Sequence, residues 1–358
     1  TVETDSQKRI FEQAFTEAGI DKTDRIVIVT DPGSPMEAAA KADGYRIFNA
    51  DPTVGGRYSA LTAFGLVPSG LAGADIQGLL DEAVAASALL ASDDASNPGL
   101  VLGAVLARTA SAAGFRDKVG IVTDGTAIVG FGDWAEQLIA ESTGKIDRGV
   151  LPVVLDVDSP EVLGRPDDLV IARLVADATS AQVDEISVSG SLGEQFMLWE
   201  VATVVASRII GINPFDQPDV ESAKIAARGM LEQRAAIEAP NFTSNGVEVR
   251  AKNLDVASSS TLKDALEALF GELAGDGYVS VQAYLDRTAL PQAAELREAI
   301  AAATGRPTTF GWAPRFLHST GQYHKGGPKQ GVFLQITNQA TSDIAVPGRD
   351  FTFGELIA

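Results

Sequence analysis

The sequence contains no cysteine and only two histidines, His318 and His324, among 358 residues. Without cysteine, a disulfide framework, thiol chemistry and a cysteine-based zinc site are all excluded. Two histidines are also too few for a metal site that needs several imidazole ligands. Candidate chemistry therefore rests on carboxylates, hydroxyls, lysine, arginine and at most two imidazoles, and we expect neither a metal nor another cofactor.

Basic residues are scarce as well: 28 lysines and arginines face 48 aspartates and glutamates, which gives a formal net charge of −20. A chain this acidic lacks the basic stripe that nucleic acid or an anionic membrane would require. It also shows no signal-peptide pattern and no apolar run of membrane-spanning length. We therefore expect a cytoplasmic protein with no nucleic-acid or membrane partner, in which any phosphate site is built from local N–H groups and a few basic residues.

Hydrophobic residues make up 45% of the chain, which is enough for a sizeable core and for two or three domains. Residues 25–30 and 45–48 are short apolar runs on either side of a helix that starts at Ser34, and residues 118–123 repeat the strand-then-turn pattern. We expect further strands at residues 151–155, 169–172 and 278–284, a loop at residues 159–168 and two helices within residues 66–115. Strands that alternate with helices predict an α/β fold with parallel sheets. Ligands of such sheets gather at the carboxyl ends of the strands.

Residues 55–59 read Gly-Gly-Arg-Tyr-Ser and follow the second predicted strand. Gly55 and Gly56 would allow positive φ and the close approach of a ligand. Arg57 would then lie at the start of a helix, where free N–H groups and the helix dipole favour anions. A plain loop with a solvated arginine is the alternative that local physics leaves open.

Glu141 is placed by its pattern at the carboxyl end of a helix, directly before the turn Ser-Thr-Gly. The helix dipole disfavours negative charge there, and inside a cleft such an environment suits a general base. The apolar positions 134, 138 and 139 form the inner face of this helix. Glu136 falls on the other side, and we expect it to be exposed.

Two further stretches contain polar residues that are candidates for binding or catalysis. Residues 213–224 read Asn-Pro-Phe-Asp-Gln-Pro-Asp-Val-Glu-Ser-Ala-Lys, in which Lys224 follows Gln217 by two helical turns and can face the same way. Residues 316–324 read Phe-Leu-His-Ser-Thr-Gly-Gln-Tyr-His and contain His318. A solvated surface lysine and a structural histidine are the corresponding ordinary interpretations.

The first residues place two hydroxyls, Thr1 and Thr4, before a helical pattern that runs through Ile10, Phe11 and Phe15. Hydroxyls at a helix start act as caps, and together with free N–H groups they can hold phosphate. An ordinary helix cap remains the alternative for Thr1.

Together, these stretches resemble the signatures of the glucose-6-phosphate isomerase (phosphoglucose isomerase) family. The resemblance is carried by residues 55–59, by residues 137–145 (with Ala140 where the family usually has glycine), by residues 213–224 and by residues 317–323. It implies the sugar-isomerase (SIS) fold, a three-layer α/β/α arrangement with parallel sheets in two subdomains. The family's first phosphate-loop half has no counterpart, so the first subdomain is expected to be incomplete at its N-terminus.

The resemblance also implies a role for each matching residue. Glu141 would move the proton between C1 and C2 of the sugar, and Arg57 would stabilise the negative charge of the intermediate. His318 and Lys224 would open the sugar ring. The substrate would be held by Thr1, Thr4, Gly56 and Gln217.

The order of the motifs departs from the usual family, because the histidine element follows the lysine element instead of preceding it. This order is similar to the isomerase part of transaldolase–isomerase fusions. In the usual family the histidine comes from the neighbouring chain of a dimer, so the departure leaves open which subunit supplies His318 and whether a homodimer forms. We expect four regions: residues 1–70 (first subdomain), 71–115 (helical connection), 116–240 (second subdomain) and 241–358 (an extension with the histidine element).

The function expected from the resemblance is interconversion of glucose 6-phosphate and fructose 6-phosphate. A non-catalytic sugar-phosphate-binding module on the same fold is one alternative. Isomerisation of a related phosphosugar, such as mannose 6-phosphate, is another. Glu141 and His318 discriminate between the first two, because a sensor needs neither an acid–base group nor a ring opener.

Overall fold

The computed structural model describes residues 2–111, 114–178, 184–216, 238–317, 319–338 and 342–357. The chain divides into two compact units. Unit 1 comprises Thr1–Val101, Gly190–Ala202 and Asn338–Ala358, and unit 2 comprises Leu102–Ser189 and Thr203–Thr337. The four regions expected from the sequence stay a prediction.

Helices and strands alternate along most of the chain. The helices are α1 (Val2–Glu17), α2 (Pro35–Ala42), α3 (Ala63–Leu71), α4 (Ile76–Leu90), α5 (Pro98–Arg108), α6 (Phe131–Thr143), α7 (Pro160–Gly164), α8 (Leu192–Ile210), α9 (Leu262–Gly271), α10 (Leu296–Thr304), α11 (Gly321–Gly326) and α12 (Phe353–Ile357). The strands are β1 (Val27–Thr30), β2 (Arg46–Asn49), β3 (Thr109–Ser111), β4 (Gly114–Arg116), β5 (Lys118–Thr123), β6 (Leu151–Leu155), β7 (Leu169–Leu174), β8 (Glu185–Val188), β9 (Phe242–Ser244), β10 (Val247–Val249), β11 (Tyr278–Tyr284), β12 (Thr308–Trp312) and β13 (Gly331–Thr337).

Unit 1 contains the parallel pair β1–β2, in which Ile28 lies opposite Ile47. The connecting helix α2 starts as the sequence predicts, because the Ser34 side chain caps it by accepting a hydrogen bond from the Glu37 N–H at 3.1 Å. Its buried face packs on the pair through a small core of Ile28, Ala40 and Tyr45.

Unit 2 contains a four-stranded parallel sheet in the order β6-β5-β7-β8. Its central strand β5 is almost wholly buried, as its Val-Gly-Ile-Val run predicts for a strand covered on both faces. Helix α6 packs against this sheet, and Gly132 lies so close to the Val154 side chain that a β-carbon would crowd it. The α/β class with parallel sheets is thereby confirmed.

A second parallel sheet in unit 2, in the order β12-β11-β13, has only its central strand among the sequence predictions. Strand β12 reads Thr-Thr-Phe-Gly-Trp and β13 reads Gly-Val-Phe-Leu-Gln-Ile-Thr, so both contain the β-branched and aromatic residues typical of strands, although neither was among the predicted strands. Their core forms around Val279, Val281 and Ile300.

Two local expectations differ from the structure. Residues 159–168, expected to be a loop, contain α7, which has a proline at its first position. The stretch 66–115, expected to hold two helices, holds the end of α3, then α4 and α5, and the antiparallel strands β3 and β4. Among the residues described, no helix is long and apolar enough to cross a membrane.

Candidate functional site

Helix α6 presents Glu141 in its last turn, as the sequence predicts. Gly130 precedes the helix with φ of 75°, and buried Ala135, Leu138 and Ile139 fix the inner face. The Glu141 side chain is only 9% exposed, and Gln137 one turn earlier donates from Nε2 to its Oε2 at 3.3 Å. The helix therefore holds a buried carboxylate close to its carboxyl end, where the dipole disfavours negative charge.

The segment from Ser319 to Gly326 packs on the carboxyl end of α6. Gln322 is fully buried and donates from Nε2 to the Gly144 carbonyl oxygen at 2.8 Å. A β-carbon on Gly144 would overlap the backbone of Tyr323, so this position requires glycine for packing. The Asp147 N–H donates to the Gly326 carbonyl oxygen at 2.9 Å. His318 itself lies outside the described residues.

Lys145 joins the glutamate element to the Asn-Pro-Phe-Asp element. Its side chain is 3% exposed, and Nζ donates to the Asn213 carbonyl oxygen at 2.5 Å and pairs with Asp216 Oδ1 at 2.8 Å. Sequence reasoning gave this residue no role, although it stands in the motif string directly after the Ser-Thr-Gly turn. Gln217 and Lys224 lie outside the described residues.

Glu136 is buried, at 6% exposure, so the expectation that it is exposed was wrong. Its Oε2 pairs with Arg315 Nη2 at 2.7 Å. Burial raises the pKa of Glu136 to about 7, although the Arg315 charge opposes the shift. The helical pattern identified one inner face from residues 134, 138 and 139. It could not show that α6 is covered on a second side, by the segment that contains Arg315.

A narrow crevice lies beside Glu136 within unit 2. Its polar lining consists of Glu136, Ser280, Thr309, Thr320, Tyr323 and His324. Its free space suffices for about one water molecule. A sugar phosphate is far larger, so this crevice is not a substrate site in the form described here.

His324, the second histidine of the chain, packs within unit 2 against strand β11. Its Nδ1 lies 2.8 Å from Tyr278 Oη and its Nε2 3.3 Å from Ser280 Oγ. The imidazole also stacks on the Tyr278 ring at a centroid distance of 5.7 Å. Burial lowers the pKa of His324 to about 4, so the ring is neutral near pH 7.

In unit 1, Arg57 lies in a three-residue 3₁₀ turn, Gly56–Tyr58, and not at the start of an α-helix. The α-helix begins later, at Ala63, after a Thr62 cap. Gly55 has φ of −68°, and neither Gly55 nor Gly56 is among the described glycines with positive φ, so that reason for glycine was wrong. A β-carbon on either glycine would meet no atom within 4 Å, which leaves their backbone open to approach.

The Arg57 side chain is 3% exposed, and its guanidinium lies 5.5 Å from the centre of the Tyr58 ring. The expected alternative of a solvated arginine is therefore wrong. Thr4 lies exposed in the first turn of α1, which begins at Val2, and Thr1 lies outside the described residues. Among the described residues, no group of three or more metal-ligating side chains is placed to hold a metal ion.

Curated proteins share the sequence pattern of this chain. It is 29% identical over 280 residues to "Probable glucose-6-phosphate isomerase" of Natronomonas pharaonis, a match that covers 64% of this chain and 65% of that protein. It is 29% identical over 279 residues to glucose-6-phosphate isomerase of Heliobacterium modesticaldum, which covers 60% of this chain and 61% of that protein. The chain is similar in sequence to glucose-6-phosphate isomerases. It spans less than two thirds of the length of either of these isomerases.

A solved structure shares part of the fold of this chain. The crystal structure of a glucose-6-phosphate isomerase from Chlamydia trachomatis superposes with a TM-score of 0.53 at 18% identity, and covers 64% of this chain and 57% of that one. A likeness at this identity speaks for the fold, which is the α/β arrangement of the isomerases. No family model matches the chain.

Proposed function

We propose that this chain interconverts glucose 6-phosphate and fructose 6-phosphate, an aldose–ketose isomerisation. The observation that carries the proposal is the meeting of three motifs at the carboxyl end of α6. The buried carboxylate of Glu141 is followed by Gly144, which Gln322 contacts, and by Lys145, which contacts Asn213. Motifs that lie far apart in the chain thus meet at the end of the helix that carries the candidate base Glu141, and the similarity to glucose-6-phosphate isomerases supports acid–base chemistry on a sugar.

In the proposed reaction Glu141 removes a proton from the carbon next to the carbonyl. The electron pair of that C–H bond becomes the C1–C2 double bond of a cis-enediolate, and the π pair of the carbonyl moves to its oxygen. A proton moves from the hydroxyl oxygen to the former carbonyl oxygen, and Glu141 returns its own proton to the neighbouring carbon, so that aldose and ketose exchange without a net redox change. A positioned general base contributes about 10²- to 10⁴-fold to such a step. The burial of Glu141 supports this role, because a site largely closed to bulk water protects the enediolate from side reactions.

The remaining roles rest on the family resemblance. Arg57 stabilises the negative charge of the enediolate, and preorganised charge of this kind is worth about 3 kcal/mol per donor. His318 and Lys224 open the sugar ring before the proton transfer. Substrate binding falls to Thr1, Thr4, Gly56 and Gln217, and fixing the phosphate sets the reacting carbons near the base.

The proposed partner is a small sugar phosphate, and the proposed setting is the cytoplasm. The reaction as written needs neither a metal nor a nucleotide. The buried Arg57 in its glycine-flanked turn supports an anionic ligand, because the open backbone of Gly56 leaves room beside a fixed positive charge.

The test is turnover of fructose 6-phosphate, followed by coupling to glucose-6-phosphate dehydrogenase. We expect the unaltered chain to turn over and Glu141→Gln to lose about 10²- to 10⁴-fold in kcat. Glu267→Gln is the matched control, because it makes the same chemical change on α9 at an exposed side chain that pairs with Lys263 in its own helix. Undiminished turnover by Glu141→Gln would reject the assigned base.

Two other functions would give different results when the same chain is tested with other sugar phosphates. Binding of glucose 6-phosphate with no turnover would indicate a sugar-phosphate-binding module. Faster turnover of mannose 6-phosphate than of glucose 6-phosphate would indicate an isomerase for a different phosphosugar.

A further inference from the structure

The carboxylate of Glu37 joins three parts of unit 1. Its Oε2 accepts a hydrogen bond from the Gly33 N–H at 2.7 Å, and its Oε1 accepts one from Asn49 Nδ2 at 3.1 Å. Lys41, one turn later in α2, pairs with Oε1 at 2.8 Å. Gly33 lies in the turn after β1, and Asn49 is the last residue of β2. One side chain thus connects the carboxyl ends of two neighbouring parallel strands to the helix between them.

Glu37 is suited to this role by its burial and its charge. The residue is 8% exposed, so its carboxylate depends on partners inside the protein. The Lys41 ammonium, with the Gly33 N–H and the Asn49 amide, lowers the pKa of Glu37 to about 2. The carboxylate is therefore charged near neutral pH, and hydrogen bonds to a charged acceptor are about twice as strong as those between neutral groups.

The chain that leaves this junction leads to Arg57 through short hydrogen-bonded turns. Residues 50–56 connect the end of β2 to Arg57. Within them, Asp51 Oδ1 accepts a hydrogen bond from the Thr53 N–H at 2.8 Å. After them, Ser59 Oγ donates to the Gly56 carbonyl oxygen at 2.7 Å, across the turn that contains Arg57. Because these local bonds stiffen the connection, a displacement at the end of β2 is passed on to the turn.

Arg57 is the residue that this connection must hold in place. The residue is only 3% exposed, and its guanidinium lies 5.5 Å from the centre of the Tyr58 ring. Under the proposed function the guanidinium stabilises the enediolate, which requires that it be aligned before the charge develops. A misplacement of about 1 Å in such a group can lower a rate about 100-fold. The fixing of the loop before Arg57 therefore affects the rate directly.

We propose that Glu37 is a positioning residue for Arg57. By joining the Gly33 turn to the end of β2, its carboxylate holds residues 50–56, and hence the guanidinium, in the place that the enediolate needs. The inference rests on the proposed function, and it gives a role to a residue that lies outside all the motifs matched to the family. All the groups involved belong to unit 1.

A double-mutant cycle tests whether Glu37 acts through Arg57. Glu37→Gln keeps the shape of the side chain, but its amide nitrogen cannot accept the hydrogen bond that a carboxylate oxygen accepts. We expect it to lower kcat for fructose 6-phosphate about 10- to 100-fold, and to have little further effect in a chain that already carries Arg57→Met. Full activity of Glu37→Gln, or the same loss in both backgrounds, would overturn the proposal.

Glu12→Gln is the matched control, because Glu12 is also a partly buried carboxylate of unit 1 held by several donors. Its Oε1 pairs with Lys8 Nζ at 2.8 Å and with Lys22 Nζ at 3.3 Å, and Tyr45 Oη donates to it. Tyr45 directly precedes β2, at the opposite edge of the strand pair. We expect both variants to lower the melting temperature and only Glu37→Gln to lower kcat. Equal losses of kcat would indicate general destabilisation and overturn the proposal.

Hydrogen exchange of a backbone amide tests the anchor without any turnover. The Ser59 N–H donates to the Gly56 carbonyl oxygen at 3.1 Å, so its exchange rate measures opening of the turn around Arg57. We expect Glu37→Gln to raise this rate about tenfold, the effect of losing about one hydrogen bond, and Glu12→Gln to leave it unchanged.

The exchange rate also separates the positioning role from the proposed function. A rate that Glu37→Gln leaves unchanged would overturn the positioning role, whether or not the chain turns over fructose 6-phosphate. An unaltered chain that turns over no sugar phosphate, with the rate raised as expected in Glu37→Gln, would reject the proposed function and still support Glu37 as the residue that fixes the turn.

Discussion

Two glycine-containing motifs of this chain use glycine for opposite reasons. At Gly144 and Gly321 in unit 2, a β-carbon would overlap the backbone of a neighbouring segment. At Gly55 and Gly56 in unit 1, a β-carbon would meet nothing within 4 Å. None of the four has positive φ, so the conformational argument for glycine applies to neither motif.

The difference shows what each motif does. In unit 2 the glycines let two parts of the chain touch, so that the glutamate helix and the segment after position 318 form one packed body. In unit 1 the glycines keep the backbone beside Arg57 uncovered. The first motif therefore depends on glycine for stability, and the second depends on it for access by a ligand under the proposed function.

The largest loss in the free energy of unfolding is expected from Gly144→Ala. The added methyl group overlaps the Tyr323 backbone, so the end of α6 or α11 must move, and overpacking of this kind costs about 1–3 kcal/mol or more. Urea unfolding of the full chain measures the loss. A loss below about 0.5 kcal/mol, the usual range for surface substitutions, would contradict close packing at this junction.

The next largest loss in the free energy of unfolding is expected from Lys145→Met. This variant tests whether the packed region extends to the Asn213 element. The change removes a buried ammonium group and leaves Asp216 and the Asn213 carbonyl oxygen without that donor. We expect a loss of about 1–3 kcal/mol in the free energy of unfolding. Lys263→Met, at an exposed site on α9, is the control and should change stability little.

Buried β-branched runs and a helical apolar face are local signals. They allow prediction of the strands β1, β2, β5, β6 and β7 and of the helix α6. The motif strings could be matched for the same reason. Burial of Glu136 could not be predicted, because periodicity identifies one covered face and α6 has two. The contacts of Lys145 and Gln322 join residues far apart in sequence, and no local pattern encodes them.

Gly56→Ala tests the motif of unit 1, in which the backbone of Gly55 and Gly56 is uncovered. Since a β-carbon there meets nothing, the free energy of unfolding should stay within about 0.5 kcal/mol of the unaltered chain. Under the proposed function, the methyl group obstructs the substrate, and we expect kcat/KM for fructose 6-phosphate to fall about tenfold, which corresponds to about 1.4 kcal/mol. Unchanged kcat/KM would remove the reason for assigning this turn to the site.

The last prediction concerns pH and the packed region around α11. The pKa of His324 is about 4 in the folded chain, below the ordinary histidine value of 6.5, so the unfolded chain binds the proton more tightly. The stability that the neutral ring contributes is therefore complete above about pH 6.5 and decreases as the pH falls toward 4. Replacing His324 by Gln should shrink the stability difference between pH 7 and pH 5 by about 1–2 kcal/mol. An unchanged difference would mean that the imidazole is not buried as described.

The central claim is that Glu141 moves a proton between neighbouring carbons of a sugar phosphate. The most direct measurement is conversion of fructose 6-phosphate in deuterium oxide, with the product glucose 6-phosphate examined by NMR at C2. We predict deuterium at C2 of the product, because the proton held by Glu141 exchanges with solvent during the enediolate's lifetime, and no labelled product from Glu141→Gln. Labelled product formed by Glu141→Gln at the rate of the unaltered chain would contradict the account.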